Sequence, residues 1–288
     1  MLTTVLDMLA SRGWFDTSTP FEKSIHLTQG ACLWMLLSRG GVLHTYVKFS
    51  DCFDLSGEAA RCEAAARCYP GLVPAHVGHG RDRGIDLLVA RAAETTGIVP
   101  ERFFDSPPPG LASYFAALPT ATGPQGVEPF KHRALFEAMS AYFAEHGLAQ
   151  IARRWMLDEA LVTIEGLAAM PQHGDLVLNN LGLATDGALV IFDWEDFGTV
   201  SLPGFDLLTL ELSVSGGAER WLARRAQEGG CPSWVVQACA AMSLPLTDYH
   251  RLAPLYALVF RYMKRNYGPE VRARMDREIS ALDRAMAP

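Results

Sequence analysis

The sequence predicts an α+β protein in two parts, a small β-rich N-terminal lobe over residues 1–91 and a larger, mainly helical C-terminal lobe over residues 92–288. Three observations predict it. Short apolar runs of strand length, separated by turns, crowd the first third of the chain. Helical patterns dominate after the Pro-rich stretch that begins at Pro107. One compact pair of apolar runs, around Asp186-Gly187, interrupts those helices.

Thr3–Ser11 reads as an amphipathic helix closed near Gly13. Strands are expected at Ser24–Leu27, Ala31–Leu37 and Val42–Phe49, the last two joined by the hairpin turn Ser38-Arg39-Gly40-Gly41. A helix from Gly57 to Tyr69 stops at Pro70-Gly71. Val73–Val77 and Ile85–Ala90 read as two further strands around a Gly-rich turn, Gly78–Gly84, with a hinge at Ala90–Thr95. Pro107–Pro129 reads as surface loop. Helices are expected over Lys131–Glu145, Leu148–Met170 with Gly166 as the point of any break, Ala218–Gln227 and Leu252–Asn266.

With 288 residues, 49% hydrophobic and 20% charged, the chain can build two packed cores. A formal net charge of -7 offers a nucleic-acid partner no electrostatic support. Between Trp155 and Glu219 there is no Lys or Arg, while Asp and Glu recur, a distribution that calls for a divalent metal, a cationic ligand or partial balance by basic residues elsewhere in the fold. Cys32, Cys52, Cys62, Cys68, Cys231 and Cys239 make no C-x-x-C pair and read as reduced thiols. No apolar run is long enough to cross a bilayer, so the expectation is a cytoplasmic protein with no membrane partner.

The chemistry gathers around the interrupting hairpin. If Asp186-Gly187 is a two-residue turn, Thr185 pairs with Ala188, Leu183 with Val190, Leu181 with Phe192, and Asn180 stands opposite Asp193. Opposed residues have Cβ atoms about 5 Å apart. Asp175 lies a few residues upstream. Two carboxylates about 4 Å apart repel by about 4 kcal/mol at an effective dielectric near 20, so acids gathered at one place invite a cation. Asn and Asp oxygens suit magnesium, which completes its shell with water and phosphate. A nearby free Asp can then orient or deprotonate a hydroxyl for attack on a γ-phosphate.

His173-Gly174-Asp175 with Asn180, then Ile191-Phe192-Asp193-Trp194-Glu195 and Asp206-Leu207-Leu208, resembles the catalytic and metal segments of the aminoglycoside phosphotransferase and choline kinase family. The resemblance is sharp from Pro171 to Leu208, fair from Ile25 to Ala90 and faint in the C-terminal helices. It implies a bilobal, protein-kinase-like fold and an ATP- and magnesium-dependent phosphotransferase acting on a small-molecule hydroxyl acceptor. By resemblance, Asp175 is the catalytic base, Asn180 and Asp193 are metal ligands, and His173 and Asp206 brace the catalytic loop. Lys48, an isolated cation on an apolar strand, resembles the family's phosphate-contacting lysine. Its carboxylate partner is expected at Glu63, in the middle of the following helix. Glu58 qualifies by position too, but a charge at the helix start explains it. Gly30 marks the phosphate-covering turn, with one glycine where the family pattern has several, and Ala90 and Ala92 fall at the adenine-binding hinge.

Asp196-Phe197-Gly198 spells the D-F-G of protein kinases, but the hairpin register favours Asp193 as the ligand. Glu195 and Asp196 remain candidates for metal, or for a cationic group on an acceptor such as an aminoglycoside or amino alcohol; a sugar-like acceptor fits equally. A non-catalytic nucleotide-binding protein of the same fold should have lost Lys48, Asp175 or Asp193, and all three are present. A protein kinase is disfavoured, because the residue before Asp175 is Gly174 rather than Arg and no clear activation segment succeeds Asp193.

Overall fold

The structure is a computed structural model that describes residues 1–27, 32–93, 95–123, 132–156, 158–227 and 231–286. It divides into two compact units, Met1–Gly97 with Gly182–Glu195, and Ile98–Leu181 with Asp196–Pro288. Residues 182–195 group with the N-terminal unit, whose first segment ends at Gly97.

In the first unit the order is α1 (Leu2–Ser11), β1 (Glu22–Leu27), β2 (Leu33–Arg39), β3 (Val42–Ser50), α2 (Ser56–Cys68), β4 (His76–Asp82) and β5 (Ile85–Arg91). The five strands form an antiparallel sheet in the order β1-β2-β3-β5-β4. Side chains alternate across it with the period of two that a strand imposes. Val47, Phe49, Leu87 and Val89 pack under Val5, Met8 and Leu9 of α1. Leu88 points the other way, onto Leu55 and Ala59 at the start of α2. Lys48 pairs with Leu88 across β3 and β5 and therefore shares the α2 face.

Two local expectations change here. The Gly-rich stretch expected as a turn is strand, and the turn sits at Arg83-Gly84, both with positive φ. Trp14 explains the first of the two glycines within β4, since a Cβ at Gly78 would meet its ring at 2.4 Å.

A second sheet joins β6 (Thr95–Gly97), β7 (Leu181–Ala184) and β8 (Leu189–Ile191). Its hairpin departs from the expected register. The Ala184 N–H donates to the Ala188 carbonyl at 2.9 Å, and the Gly187 N–H donates to the Ala184 carbonyl at 2.8 Å. The loop is therefore three residues, Thr185 to Gly187, and Ala184 rather than Thr185 stands opposite Ala188. A two-residue type I′ turn needs positive φ at both central positions. Only Gly187 has it, at 82°. The Asp186 carboxylate instead accepts the Ala188 N–H at 3.0 Å, the local bond that Asp favours in turns.

The second unit contains α3 (Pro100–Asp105), α4 (Pro109–Ala117), α5 (His132–Glu145), α6 (Ala149–Trp155), α7 (Asp158–Glu165), α8 (Phe205–Ser215), α9 (Ala218–Gln227), α10 (Ser233–Ala241), α11 (Leu246–Met263) and α12 (Pro269–Met286). Helix α4 replaces part of the expected Pro-rich loop. Pro109 occupies its first turn, where a missing N–H costs nothing. Leu111, Tyr114, Phe115 and Leu118 then form one buried stripe at helical spacing. The expected long helix from Leu148 is two short ones, α6 and α7. Helix α8 is buried on almost every side, polar residues included, and its Glu211 takes both Nη2 bonds of Arg225 at 2.7 and 2.8 Å. Among the described residues no helix is long and apolar enough to cross a membrane.

Candidate active site

In the first unit, β3 delivers Lys48 to a cluster of acids. Its ammonium lies 2.8 Å from Glu58 Oε2 and 2.8 Å from Glu195 Oε2. Burial alone would pull the Lys48 pKa down; Glu58 and Glu195 outweigh it, and the pKa is raised. The group is therefore an ammonium at any working pH. Glu58, Asp193 and Glu195 each offer a carboxylate oxygen, all within 4.8 Å of one another.

The segment after β8 is what brings two of those acids there. The Trp194 indole N–H donates to the Ile191 carbonyl at 2.7 Å, and the ring stacks on Tyr69. The Ile191 N–H in turn donates to the Leu72 carbonyl at 2.7 Å. Asp193 takes φ 61°, a left-handed conformation that costs a non-glycine residue about 1 kcal/mol or more and concentrates at functional sites.

In the second unit, the loop around Asp175 is held by backbone bonds from several directions. Asp206, fully buried in the first turn of α8, accepts the His173 N–H at 2.6 Å and the Gly174 N–H at 3.0 Å. Tyr114 of α4 donates its hydroxyl to the same carboxylate. Burial raises the Asp206 pKa, opposed by these donors. The Asp175 N–H points to His173 Nδ1 at 3.2 Å, and the Asn180 side-chain amide donates to the Asp175 carbonyl at 2.9 Å. Thr209 and Ser213 of α8 bond the backbone of Leu176 and Leu178. Gly174 sits at φ 88°, and a Cβ there would meet Asp196 at 2.7 Å, so only glycine lets the loop pass. The Asp175 carboxylate itself lies 2.9 Å from the ammonium of Lys264, which also lies 3.0 Å from Asp196.

The architecture has close parallels among solved structures. Choline kinase LicA from Streptococcus pneumoniae superposes with a TM-score of 0.65 at 15% identity, over 99% of each chain. A choline/ethanolamine kinase family protein from Mesorhizobium loti gives 0.57 at 20% identity, over 100% of this chain and 96% of that one. Aminoglycoside phosphotransferase APH(4)-Ia, in a ternary complex with ADP and hygromycin B, gives 0.64 at 15% identity over 99% of each chain. The chain has the fold of these small-molecule kinases. No family model and no curated protein matches at the level of sequence.

Within this kinase-like fold, several expected residues stand elsewhere than the sequence placed them. Glu63 is not the partner of Lys48. It is half-exposed and lies 3.4 Å from His76, whereas Glu58 supplies the buried carboxylate. Helix α2 starts at Ser56, so its first turn, not its middle, reaches β3. Glu195 and Asp196, considered for a cationic acceptor, are paired with Lys48 and Lys264 respectively. The shifted register no longer sets Asp193 opposite Asn180; Asp193 stands instead beside Glu58 and Glu195. Gly30 lies outside the described residues. Ala90 is paired within the sheet to Tyr46 and His76, and the Ala92 N–H donates to the His44 carbonyl at 3.1 Å.

Sequence reasoning misses Tyr114 and Lys264. The Leu111-Tyr114-Phe115-Leu118 spacing is the available signal for Tyr114. Lys264, beside Arg265 at a helix end, carries no signal beyond ordinary dipole compensation.

Proposed function

We propose that this protein transfers the γ-phosphoryl group of ATP, with magnesium, to a hydroxyl of a small molecule. The observation that carries this reading is Asp175, a carboxylate on a loop whose backbone is fixed by Asp206, Asn180, Thr209 and Ser213. A general base works only when held within hydrogen-bond reach of the proton it takes, and a loop bonded from so many sides provides that. The acceptor oxygen bonds to the γ-phosphorus as its proton passes to Asp175, the bond from that phosphorus to the bridging oxygen breaks, and ADP leaves.

Lys48 contributes a permanent positive charge for the nucleotide phosphates, oriented by Glu58 and Glu195. The carboxylates of the first unit are hard oxygen donors close enough together to suit magnesium, so the residues present fit the ion. Asp193 is the proposed ligand from this cluster; Asn180 of the second unit is proposed on motif spacing alone, with its side-chain oxygen as the donor atom because its nitrogen already donates to the Asp175 carbonyl. Bound magnesium supplies neutralisation of the phosphate oxygens. ADP in the ternary complex of a similar fold supports the nucleotide class.

The test is ADP release from magnesium and ATP with sugars, amino alcohols, aminoglycosides and nucleosides as acceptors. At least one class should stimulate release, and Asp175→Asn should lower it by about 100-fold or more, the lower range of general-base contributions. Release that is equal in the variant, or nucleotide binding without release in any arm, overturns the reading in favour of a non-catalytic nucleotide-binding protein.

A further inference from the structure

Lys264 closes helix α11 and is 3% exposed. A buried ammonium is retained only where partners compensate its lost hydration. Here the partners are Oδ2 of Asp175, at 2.9 Å, and Oδ2 of Asp196, at 3.0 Å, with the rings of Phe260 and Tyr267 flanking the charge. Asp175 is thus not an isolated acid awaiting a cationic ligand. One of its oxygens is already engaged by a cation built into the chain.

If Asp175 is the base of a phosphotransferase, as proposed, this pairing constrains the acceptor. A hydroxyl giving its proton to Asp175 must come to the same carboxylate that Lys264 holds. In an amino alcohol or amino sugar whose amine neighbours the reacting hydroxyl, the acceptor's ammonium would then sit within about 5 Å of Lys264, where like charges repel appreciably. Asp196, the other acid that could receive it, is occupied as well.

We infer that Lys264 is a specificity-determining residue: it fills the place an acceptor's ammonium would take beside Asp175 and Asp196, and so selects acceptors with no positive charge next to the reacting hydroxyl. The substrate class is therefore a neutral or anionic hydroxyl compound, such as a sugar or hydroxy acid, rather than an aminoglycoside or amino alcohol. The choline and hygromycin B in the names of similar folds do not carry over to this chain.

The experiment compares matched acceptors differing by one amine, such as glucose with glucosamine and glycerol with aminopropanediol. Wild type should favour the uncharged member of each productive pair by about tenfold or more in kcat/KM. Lys264→Met should shift that ratio toward the amine by a similar factor, and Lys264→Arg should keep it, because charge rather than shape sets it. A wild-type preference for the amines, or a ratio unchanged in Lys264→Met, overturns the inference.

A binding arm does not depend on turnover. Calorimetry with choline and ethanolamine should show binding to Lys264→Met about tenfold or more tighter than to wild type, since two carboxylates are then uncompensated. Equal or tighter binding by wild type overturns the inference. Should Lys264→Met fail to fold, Lys264→Met with Asp196→Asn restores local charge balance and is read in the same way. Absence of ADP release in every arm, with this binding pattern intact, removes the phosphotransferase reading while leaving Lys264 as the determinant of ligand charge.

Discussion

Glu58 and Glu63 differ by little over one helical turn, yet only Glu58 reaches Lys48. A mid-helix acid reads as the better partner when helix ends are assigned to dipole compensation. The physical discriminator is burial. Lys48 and Glu58 are both largely out of water, and removing Glu58 leaves Lys48 with only the more exposed Glu195. Glu58→Gln should therefore destabilise the first unit by about 2 kcal/mol, the loss of one charge-assisted bond, and weaken ATP binding severalfold. Glu63→Gln, which loses only a half-exposed contact to His76, should cost less than about 1 kcal/mol. Urea denaturation and nucleotide titration of the two variants check this; comparable losses in both would return Glu63 to the site.

At the scale of elements, the candidate catalytic loop depends on two helices that meet its backbone. Helix α8 supplies Asp206, Thr209 and Ser213, and α4 supplies Tyr114. Asp206 satisfies two backbone N–H groups and one hydroxyl, whereas Asn offers a single acceptor oxygen and adds a donor with no acceptor in that set. Asp206→Asn should cost about 2 kcal/mol or more in the second unit, the range for stranding a buried polar group. Tyr114→Phe removes the hydroxyl's bond to Asp206 and its acceptance of the His173 N–H at 3.1 Å, but that N–H and the Gly174 N–H still donate to Asp206, so about 1 kcal/mol is expected. Equilibrium unfolding of both variants checks the order; a larger loss in Tyr114→Phe would show that the brace runs through α4 instead. The Pro-rich approach to α4 masks its sequence signal, because prolines that start a helix look the same as prolines that prevent one.

For the molecule as a whole, alkaline pH probes the buried titratable groups of both units. Burial pushes the Cys62 thiol of the first unit and the Cys239 thiol of the second up to about 12. Lys48 and Lys264 are raised as well, their acids outweighing burial. A raised folded-state pKa means the folded chain holds its proton after the unfolded chain has released it. The stabilising contribution is full below about pH 8.5 for the thiols and is lost as pH climbs through the folded values. Stability should therefore fall between about pH 8 and about pH 11, by up to about 1.4 kcal/mol per pH unit for each thiol. Cys62→Ala should flatten the slope for the first unit and Cys239→Ala that for the second. Slopes identical in the variants would show that these thiols titrate normally.

What the sequence determined by itself is local. The strand-length apolar runs of β3 and β5, the helix over Ala218–Gln227, and the His173-Gly174-Asp175 and Asp206 segments are legible because run length, turn chemistry and motif spacing act within a few residues. The kinase-like fold is what the family resemblance of those segments implies. Tertiary structure alone decided which charges meet: Glu58 on Lys48, Tyr114 on Asp206, and Lys264 between Asp175 and Asp196. Those pairings join residues as many as 92 positions apart. Which acid a buried cation finds is set by helix boundaries and packing, since a shift of one turn moves a carboxylate by about 5 Å and a salt bridge tolerates far less.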